Sequence, residues 1–230
     1  MHKPIIIDYI NIQRKMGFSP LILIVGRQRV GKTAIALRLA YEIMGDKFDI
    51  KKHMTYKIED FAEAYDKYSN VVLILDEAGI PLDPYEHMTI TQRVYTHIVQ
   101  TQAYKQNIVF LVLPFASEIG KNHAKHISCI VEVVWRGCYK LYATKSWHSD
   151  LSKRPPRLEK IEVVSGVPLP PPELWSWYKS QGQDEYKKSI MEMQMGILKA
   201  RQSRRTGQPQ HNFVDPQQFM KVAQQYGYGN

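Results

Sequence analysis

The sequence has little cysteine, no long apolar run and no targeting pattern at its start. Its 230 residues include only Cys129 and Cys138, too few for a disulfide framework, and their spacing matches no zinc-binding pattern. The longest apolar run, Ile108–Ala116, is far shorter than the about 20 residues that a membrane-spanning helix needs. Asp8 interrupts the apolar residues that a signal peptide would require. We therefore expect a cytoplasmic protein with no membrane span.

Histidine is more frequent, and it raises the question of a transition-metal site. Among the eight histidines, His123 and His126 are close enough in sequence to share one face of a helix. A zinc site needs further ligands in a recognisable frame, and no third ligand stands in such a frame. The sequence therefore does not predict a transition-metal centre.

Positive charge is in excess. The chain has 31 Lys and Arg against 22 Asp and Glu, a net charge of +9. Residues 139–210 carry 13 of those bases and only 7 of those acids. A basic surplus of this size suits a partner rich in phosphate, such as DNA. A solvated surface without any such partner is the alternative, and charge alone does not decide between them.

Continuous apolar runs alternate with segments of helical periodicity along the first half of the chain. The runs are Leu21–Val25, Val71–Leu75 and Ile108–Leu113, and the helical segments are Lys32–Met44, Glu59–Tyr65 and Met88–Lys105. Continuous apolar runs are typical of parallel strands buried on both faces. A weaker strand is predicted within Asp49–Lys57. This alternation predicts an α/β protein with a mostly parallel sheet covered by helices.

The region after residue 126 changes character. Ile127–Trp135 and Tyr139–Trp147 are rich in aromatic and β-branched residues, and Arg136-Gly137-Cys138 separates them. This pattern predicts an edge β-hairpin. Ile161–Val164 is predicted to add one edge strand, and Glu173–Arg205 to form a long helix. The candidate contact positions of that helix are Leu174, Tyr178, Ile190, Met191, Met195 and Leu198.

These elements suggest three parts. Residues 1–150 are predicted to form the core with its edge hairpin. Residues 151–205 are predicted to form a proline-rich linker and a C-terminal helical extension, since proline cannot sit inside a sheet. Residues 206–230 are rich in Gln, Gly and Asn and are predicted to be a flexible tail.

A phosphate-binding motif follows the first apolar run. Gly26–Thr33 is a full match to G-x-x-x-x-G-K-[ST], the P-loop or Walker A motif. The glycines permit backbone angles at which successive N–H groups point into one concavity. The loop opens a helix, whose N-terminus attracts phosphate. The predicted nucleotide contacts are Gly26, Arg29, Val30, Gly31, Lys32, Thr33 and Ala34.

Two roles within this site depend on particular side chains. Lys32 is predicted to reach the β- and γ-phosphates and to act in catalysis. The Thr33 hydroxyl and Asp76, at the end of the second apolar run, are predicted to bind Mg²⁺. An acidic residue at the end of an apolar strand is a common accident, but the P-loop upstream makes a Walker B aspartate the better interpretation.

Glu77 indicates the reaction class. A carboxylate beside the magnesium-binding Asp76 can polarise water for attack on the γ-phosphate, as in ATP hydrolases. The alternative is that Glu77 caps a loop or pairs with a lysine. The chain lacks the Asn-Lys-x-Asp motif that reads guanine, which disfavours a GTPase. The predicted cofactors are therefore ATP and Mg²⁺.

Two further contacts stay open at this stage. An arginine often stabilises charge on the γ-phosphate. Arg93 and Arg136 are candidates, while Arg27 and Arg29 lie within the loop itself. The aromatic residues that could stack on adenine are Tyr9, Phe18 and Tyr104, with none favoured.

Several segments resemble a known group of proteins. They are Gly31–Thr33, Phe48–Ile50, Leu75–Gly79 and Gln100–Thr101. Over residues 20–150 the chain resembles the small P-loop ATPases of archaeal viruses and plasmids, which are similar to zonula-occludens-toxin-like and FtsK–HerA ATPases. The resemblance implies an additional-strand catalytic-glutamate core, a ring-shaped homo-oligomer, and action on DNA in packaging, transfer or virion assembly, within the host cytoplasm if the protein is viral.

The chain also departs from that group. Toxin-like assembly ATPases usually carry a transmembrane helix, which this sequence lacks. The strand after Walker B commonly ends in a polar sensor of the γ-phosphate, whereas here it ends in Leu113-Pro114-Phe115. Ser117 is the nearest hydroxyl, and Asn107 stands at the other end of the strand.

Three functions are consistent with these features. The first is an ATPase that drives DNA translocation or packaging, with Lys153, Arg154 and Arg157 as candidate DNA contacts. The second is an ATPase that acts on a virion or assembly protein. The third is a nucleotide-gated structural protein that binds ATP without hydrolysing it, which the complete set of Lys32, Thr33, Asp76 and Glu77 argues against.

Overall fold

The computed structural model describes residues 4–76, 104–116, 126–144 and 158–184, together with residues 187, 188, 191, 192 and 195. The chain divides into two units, Met1–Ile190 and Met191–Asn230. Of the second unit, residues 191, 192 and 195 are described, and they are helical. Every element named below belongs to the first unit.

Seven strands form one mixed sheet in the order β2-β3-β4-β1-β5-β6-β7. The strands are β1 (Leu21–Val25), β2 (Met54–Thr55), β3 (Val72–Asp76), β4 (Ile108–Leu113), β5 (Cys129–Trp135), β6 (Cys138–Thr144) and β7 (Leu158–Val164). The first five are mutually parallel, and β6 and β7 continue the sheet antiparallel. The predicted mostly parallel α/β architecture is confirmed.

Helices cover both faces of this sheet. They are α1 (Ile5–Lys15), α2 (Lys32–Met44), α3 (Ile50–His53), α4 (Ile58–Lys67) and α5 (Pro172–Trp177), with a 3-10 turn at Gly45–Lys47 and a π-helical turn at Tyr178–Gly182. Because side chains alternate along a strand, Ile22 and Ile24 of β1 pack with α1 and α2. Leu21 and Leu23 of the same strand pack with α4 on the other face. None of the helices in the described part is long and apolar enough to cross a membrane.

The continuous apolar runs are the buried strands that the sequence predicts. Every residue of β1, β3 and β4 is buried, as expected for strands covered by helices on both faces. The predicted second strand is shorter than its Asp49–Lys57 segment. The Asp49 side chain accepts a hydrogen bond from the Lys51 N–H at 3.1 Å and caps α3, which leaves only Met54–Thr55 for β2. The predicted helix Met88–Lys105 lies outside the described residues except at its last two positions.

The predicted hairpin is formed by β5 and β6, with its turn at Arg136 and Gly137. Gly137 has a φ of +70°, which glycine adopts without strain. Beyond the hairpin, β7 pairs antiparallel with β6 and occupies this margin of the sheet. The predicted strand Ile161–Val164 is present in β7 and begins three residues earlier, at Leu158.

The segment after β7 returns over the α1–α2 face. The Val167 N–H donates to the Gly137 carbonyl at 2.9 Å, which ties this segment to the hairpin turn. Leu174 and Tyr178, two of the predicted helix contact positions, pack against the buried cluster of this face. The helix begins at Pro172, as part of α5. The predicted contacts Ile190 and Leu198 lie outside the described residues.

Two tyrosines of this core, Tyr139 fully buried and Tyr9 partly buried, make a matched pair for a stability test. The Tyr9 hydroxyl donates to the Ser128 carbonyl at 2.9 Å, whereas the Tyr139 hydroxyl is buried without a hydrogen-bond partner in the described part of the chain. Burial raises the pKa of Tyr139, and it raises the pKa of Tyr9 to about 12. An unsatisfied buried hydroxyl costs free energy, while a satisfied one contributes about 1 kcal/mol.

We therefore expect Tyr139→Phe to raise the free energy of unfolding by about 1 kcal/mol and Tyr9→Phe to lower it by about the same amount. Urea denaturation of the two variants and the wild type measures the difference. An equal loss of stability in both variants would show that the Tyr139 hydroxyl is hydrogen-bonded in solution.

Candidate nucleotide site

A loop with unusual backbone angles connects β1 to α2. The φ angle is +154° at Gly26, +64° at Arg29 and +97° at Gly31. The Gly26 N–H donates to the Pro114 carbonyl at 3.3 Å, just after β4, and Gly31 is the N-cap of α2. A loop of this kind directs backbone N–H groups inward at the N-terminus of a helix, where an anion is stabilised. The strand–loop–helix context that the motif requires is therefore present.

The hairpin turn packs against this loop. A Cβ atom on Gly26 would lie 2.5 Å from the Val133 carbonyl oxygen, and a Cβ atom on Gly31 would lie 3.9 Å from the Arg136 Cα. The first distance is shorter than any normal contact, so only glycine fits beside Val133. The loop is thus bounded on one side by the end of β5 and by the turn that follows it.

The Lys32 side chain extends back over the loop and hydrogen-bonds to its backbone. Its side chain is 8% exposed, and its ammonium donates to the Gly26 carbonyl at 2.9 Å and to the Arg27 carbonyl at 3.1 Å. Buried cations need such acceptors, since an isolated charge is costly to remove from water. The ammonium is therefore held against the backbone at the start of the loop.

Thr33 and Asp76 meet beside the loop. The Thr33 hydroxyl donates to the Asp76 carboxylate at 2.9 Å, although the two residues are 43 positions apart. Asp76 is the last residue of β3 and is only 3% exposed. Hydroxyl and carboxylate oxygens are the ligands that Mg²⁺ prefers at phosphate sites. This pair of oxygens, beside a buried ammonium, fits a magnesium ion carried in with a nucleotide.

The remaining predicted site residues divide into described and undescribed ones. Arg29 is exposed on the loop, Val30 packs on the buried cluster, and Ala34 lies in the first turn of α2. Arg136 is exposed beside Gly31. Glu77, Arg93, Ser117, Lys153, Arg154 and Arg157 lie outside the described residues.

Asn107 is fully buried at the start of β4, and its role is structural. Its amide oxygen accepts from the Val71 N–H at 3.1 Å, and its amide nitrogen donates to the Tyr68 carbonyl at 2.9 Å. Both contacts join the segments that lead into β3 and β4. Asn107 therefore cannot sense a phosphate, which lies at the far end of these strands.

The aromatic residues that were candidates for stacking on adenine lie at the end of the sheet where the parallel strands begin, opposite the loop. Phe18 precedes β1, Tyr104 precedes β4, and the Tyr9 hydroxyl contacts Ser128, which precedes β5. All parallel strands of the sheet begin at one end of it and finish at the opposite end, where the loop lies. The five residues of β1 therefore separate these rings from the loop by about 16 Å. None of them can stack on a nucleotide held by the loop.

Metal-binding groups of other kinds are absent from the described ranges, where no three or more His, Cys, Asp or Glu side chains could together hold a metal ion. Of the two histidines that could share a helix face, His126 is described and His123 is not. The sequence missed the contact of the hairpin turn with the loop, because nothing in the local pattern of residues 133–137 signals which distant segment they pack against.

Comparisons with known proteins give structural likeness only. No family model matches the chain, and no curated protein matches it. Among solved structures, the genome packaging NTPase of Sulfolobus turreted icosahedral virus 2, in complex with AMPPCP, has 11% identity and a TM-score of 0.36, over 54% of this chain and 92% of that one.

Two further structures are similar at the same level. The N-terminal domain of zonular occludens toxin from Neisseria meningitidis has 12% identity and a TM-score of 0.37, over 65% of this chain and 97% of that one. The flagellar accessory protein FlaH from Methanocaldococcus jannaschii has 12% identity and a TM-score of 0.31, over 69% of this chain and 94% of that one.

The fold assignment rests on this chain's own geometry. The central strand β1 delivers a glycine loop to the N-terminus of α2, and the end of β3 delivers a buried aspartate to the first turn of that helix. Strand order, loop and acidic partner together make this a P-loop NTPase fold.

Proposed function

We propose that the protein is an ATP hydrolase. The observation that carries this proposal is the 2.9 Å contact between the Thr33 hydroxyl and the buried Asp76 carboxylate beside the loop. That contact supports the assignment of Thr33 to a Walker A motif and of Asp76 to a Walker B motif of one site. Glu77 follows Asp76 directly in the chain, and we assign it the role of general base.

The proposed reaction uses groups of this chain at each step. Lys32 exchanges the Gly26 and Arg27 carbonyls for the β- and γ-phosphate oxygens, and the loop N–H groups bind the rest of the phosphate chain. Thr33 and Asp76 would hold Mg²⁺, which supplies charge neutralisation at the phosphate oxygens when bound. Glu77 accepts a proton from a water molecule as the water oxygen bonds to the γ-phosphorus. The bond from that phosphorus to the bridging oxygen breaks, and ADP and inorganic phosphate leave.

Arg136 is the described candidate for the additional cation. Its backbone lies beside Gly31 of the same chain, on the β5 side of the loop and away from Asp76, so its guanidinium would have to extend across the loop to reach the γ-phosphate. Arg93 remains the alternative, in a ring-shaped homo-oligomer. In either case a guanidinium would stabilise charge that develops on the γ-phosphate.

The work that hydrolysis drives is proposed to be the translocation or packaging of DNA. The support for this is the basic excess of the chain, +9 overall, with 13 bases against 7 acids in residues 139–210. Cationic segments bind the phosphate backbone without sequence preference, and they do so in a salt-dependent way. Lys153, Arg154 and Arg157 are the proposed contacts.

The test is phosphate release by the wild type and by Glu77→Gln, with and without linear double-stranded DNA at low salt. We expect Glu77→Gln to lower hydrolysis by about 10²-fold, since it removes a general base, and to leave ATP binding unchanged. Glu63→Gln, an exposed change of the same chemistry on α4, is the matched control and should hydrolyse ATP like the wild type. Full activity in Glu77→Gln would exclude the assigned base.

The comparison of reactions with and without DNA distinguishes an ATPase that acts on DNA from one that acts on a protein. We expect DNA to stimulate hydrolysis, and replacement of Lys153, Arg154 and Arg157 by glutamine to weaken this stimulation and its salt dependence. Equal neutralisation of Lys47, Lys51 and Lys67, which are exposed elsewhere, is the control for net charge. A rate of hydrolysis that does not change with DNA would instead support an ATPase that acts on a virion or assembly protein. No hydrolysis by an oligomer loaded with nucleotide would support a structural role.

A further inference from the structure

Strand β5 runs past the end of its neighbour β1. The last paired residues of the two strands are Val25 and Glu132, and β5 then continues for three residues to Trp135. Over this extension the Val133 carbonyl packs against Gly26, and the next turn packs against Gly31. The extension therefore forms a wall along one side of the phosphate loop.

A tryptophan stands on this wall and faces solvent. Trp135 is 73% exposed, although Val133 and its cross-strand partner Tyr139 are buried. The register shifts between Val133 and Trp135, so that two residues of β5 oppose Cys138. A bulge of this kind re-aims the side chains around it. A large, exposed indole beside a ligand loop is a surface available for contact.

The position of the magnesium pair indicates the direction in which a bound nucleotide extends. Asp76 ends β3, and the sheet order β3-β4-β1-β5 places β3 and β5 on opposite sides of β1. Since Thr33 and Asp76 mark the end of the site where the metal and the γ-phosphate would lie, the nucleoside end extends the other way, towards β5. Trp135 lies on that side.

Other described aromatic rings are exposed next to strands of the sheet. They are less suited than Trp135 to contact the nucleoside. Phe115 is 59% exposed and follows β4, which places it on the same side of β1 as Asp76. Tyr104 is 85% exposed, but it lies before the start of β4, at the end of the sheet opposite the loop. Among the aromatic residues that the structure describes, only Trp135 combines exposure with a position on the nucleoside side of the loop.

We propose that the Trp135 indole is the stacking surface for the nucleobase of a nucleoside triphosphate held by the loop. Every base has a π face, and stacking on an aromatic side chain contributes a substantial, base-tolerant part of its binding. The inference rests on the proposed nucleotide-binding function and adds to it the contact that recognises the base. It predicts tighter binding of purine than of pyrimidine triphosphates, because a purine offers a larger stacking area.

The test compares a ligand that has a base with one that lacks it. Dissociation constants of ATP and of inorganic tripolyphosphate, each with Mg²⁺, are measured by calorimetry on the full chain and its variants. We expect Trp135→Ala to weaken ATP binding by about 10-fold and to leave tripolyphosphate binding unchanged. Trp135→Phe should retain most of the ATP affinity, and Tyr104→Ala, which removes an exposed ring at the end of the sheet opposite the loop, should change neither constant.

Each other outcome has a separate meaning. Equal ATP affinity in Trp135→Ala and the wild type would overturn the stacking contact. A parallel loss for both ligands would overturn it too, because the tryptophan would then support the loop rather than the base. A wild type that binds tripolyphosphate but binds ATP no more tightly would refute the base contact and leave the phosphate site standing. A wild type that binds neither ligand would refute the nucleotide site itself.

Discussion

Lys32→Ala is expected to lower kcat/KM for ATP by about 10³-fold, in line with the loss of a preorganised cation at a developing phosphate charge. The wild-type ammonium is buried and is already positioned by the Gly26 and Arg27 carbonyls. Alanine leaves the loop N–H groups in place but removes the only full positive charge that the described loop holds against its backbone. Steady-state phosphate release and a direct binding measurement with ATP separate the catalytic from the affinity component.

The matched control for this variant is Lys47→Ala, which removes an exposed lysine from the 3-10 turn after α2. It changes the net charge equally and should leave kcat/KM unchanged. The free energy of unfolding should change by less than about 1 kcal/mol in Lys32→Ala, because the two released carbonyls can bond to water. Wild-type hydrolysis by Lys32→Ala would mean that the triphosphate binds elsewhere on the chain.

Gly26→Ala is expected to lower the free energy of unfolding by about 3 kcal/mol, as for an overpacked core position. Its Cβ would stand 2.5 Å from the Val133 carbonyl oxygen. That oxygen belongs to the backbone of β5, next to the central strand, so it cannot move aside as a flexible side chain would. Relief requires β1 and β5 to separate or the loop to shift. We therefore expect nucleotide binding to weaken as well.

Gly45→Ala separates this clash from ordinary backbone strain. Gly45 has a φ of +58°, and a Cβ there would meet nothing within 4 Å. Alanine at Gly45 should cost about 1 kcal/mol from the backbone alone. Denaturant unfolding of both variants measures the difference. Equal losses would indicate that β5 does not lie against the loop in solution.

The interior of the sheet could be predicted from the sequence because burial on both faces leaves a simple mark. The strands β1, β3 and β4 are apolar at every interior position, and Asp76 is the first charged residue after such a run. The glycine motif between β1 and α2 is equally local, since its spacing follows from the loop it forms. The α/β class and the glycine loop between β1 and α2 could therefore be predicted together.

The edge strands of the sheet were harder to predict, because exposed strands contain both polar and apolar residues. In β7, Glu159 and Lys160 are exposed, so Leu158 is the one apolar residue before Ile161 in that strand. The pairing of β5 with β1 depends on contacts between segments distant in sequence, which no local pattern encodes. The adenine contact could not be assigned from the sequence for a related reason: composition offers Tyr9, Phe18 and Tyr104 but does not show whether each ring lies where the parallel strands begin or where they end.

The central position of β1 has a consequence for how the chain is made. Its two neighbours in the sheet are β4 and β5, which begin at Ile108 and Cys129. During synthesis, the motif that follows β1 therefore emerges long before the strands that flank it. Contacts between distant segments also slow folding, since a large loop must close first. The phosphate loop gains the wall that β5 forms only after Arg136 has left the ribosome. A nascent chain that stops before β5 would leave the backbone N–H and C=O groups along one edge of β1 unpaired.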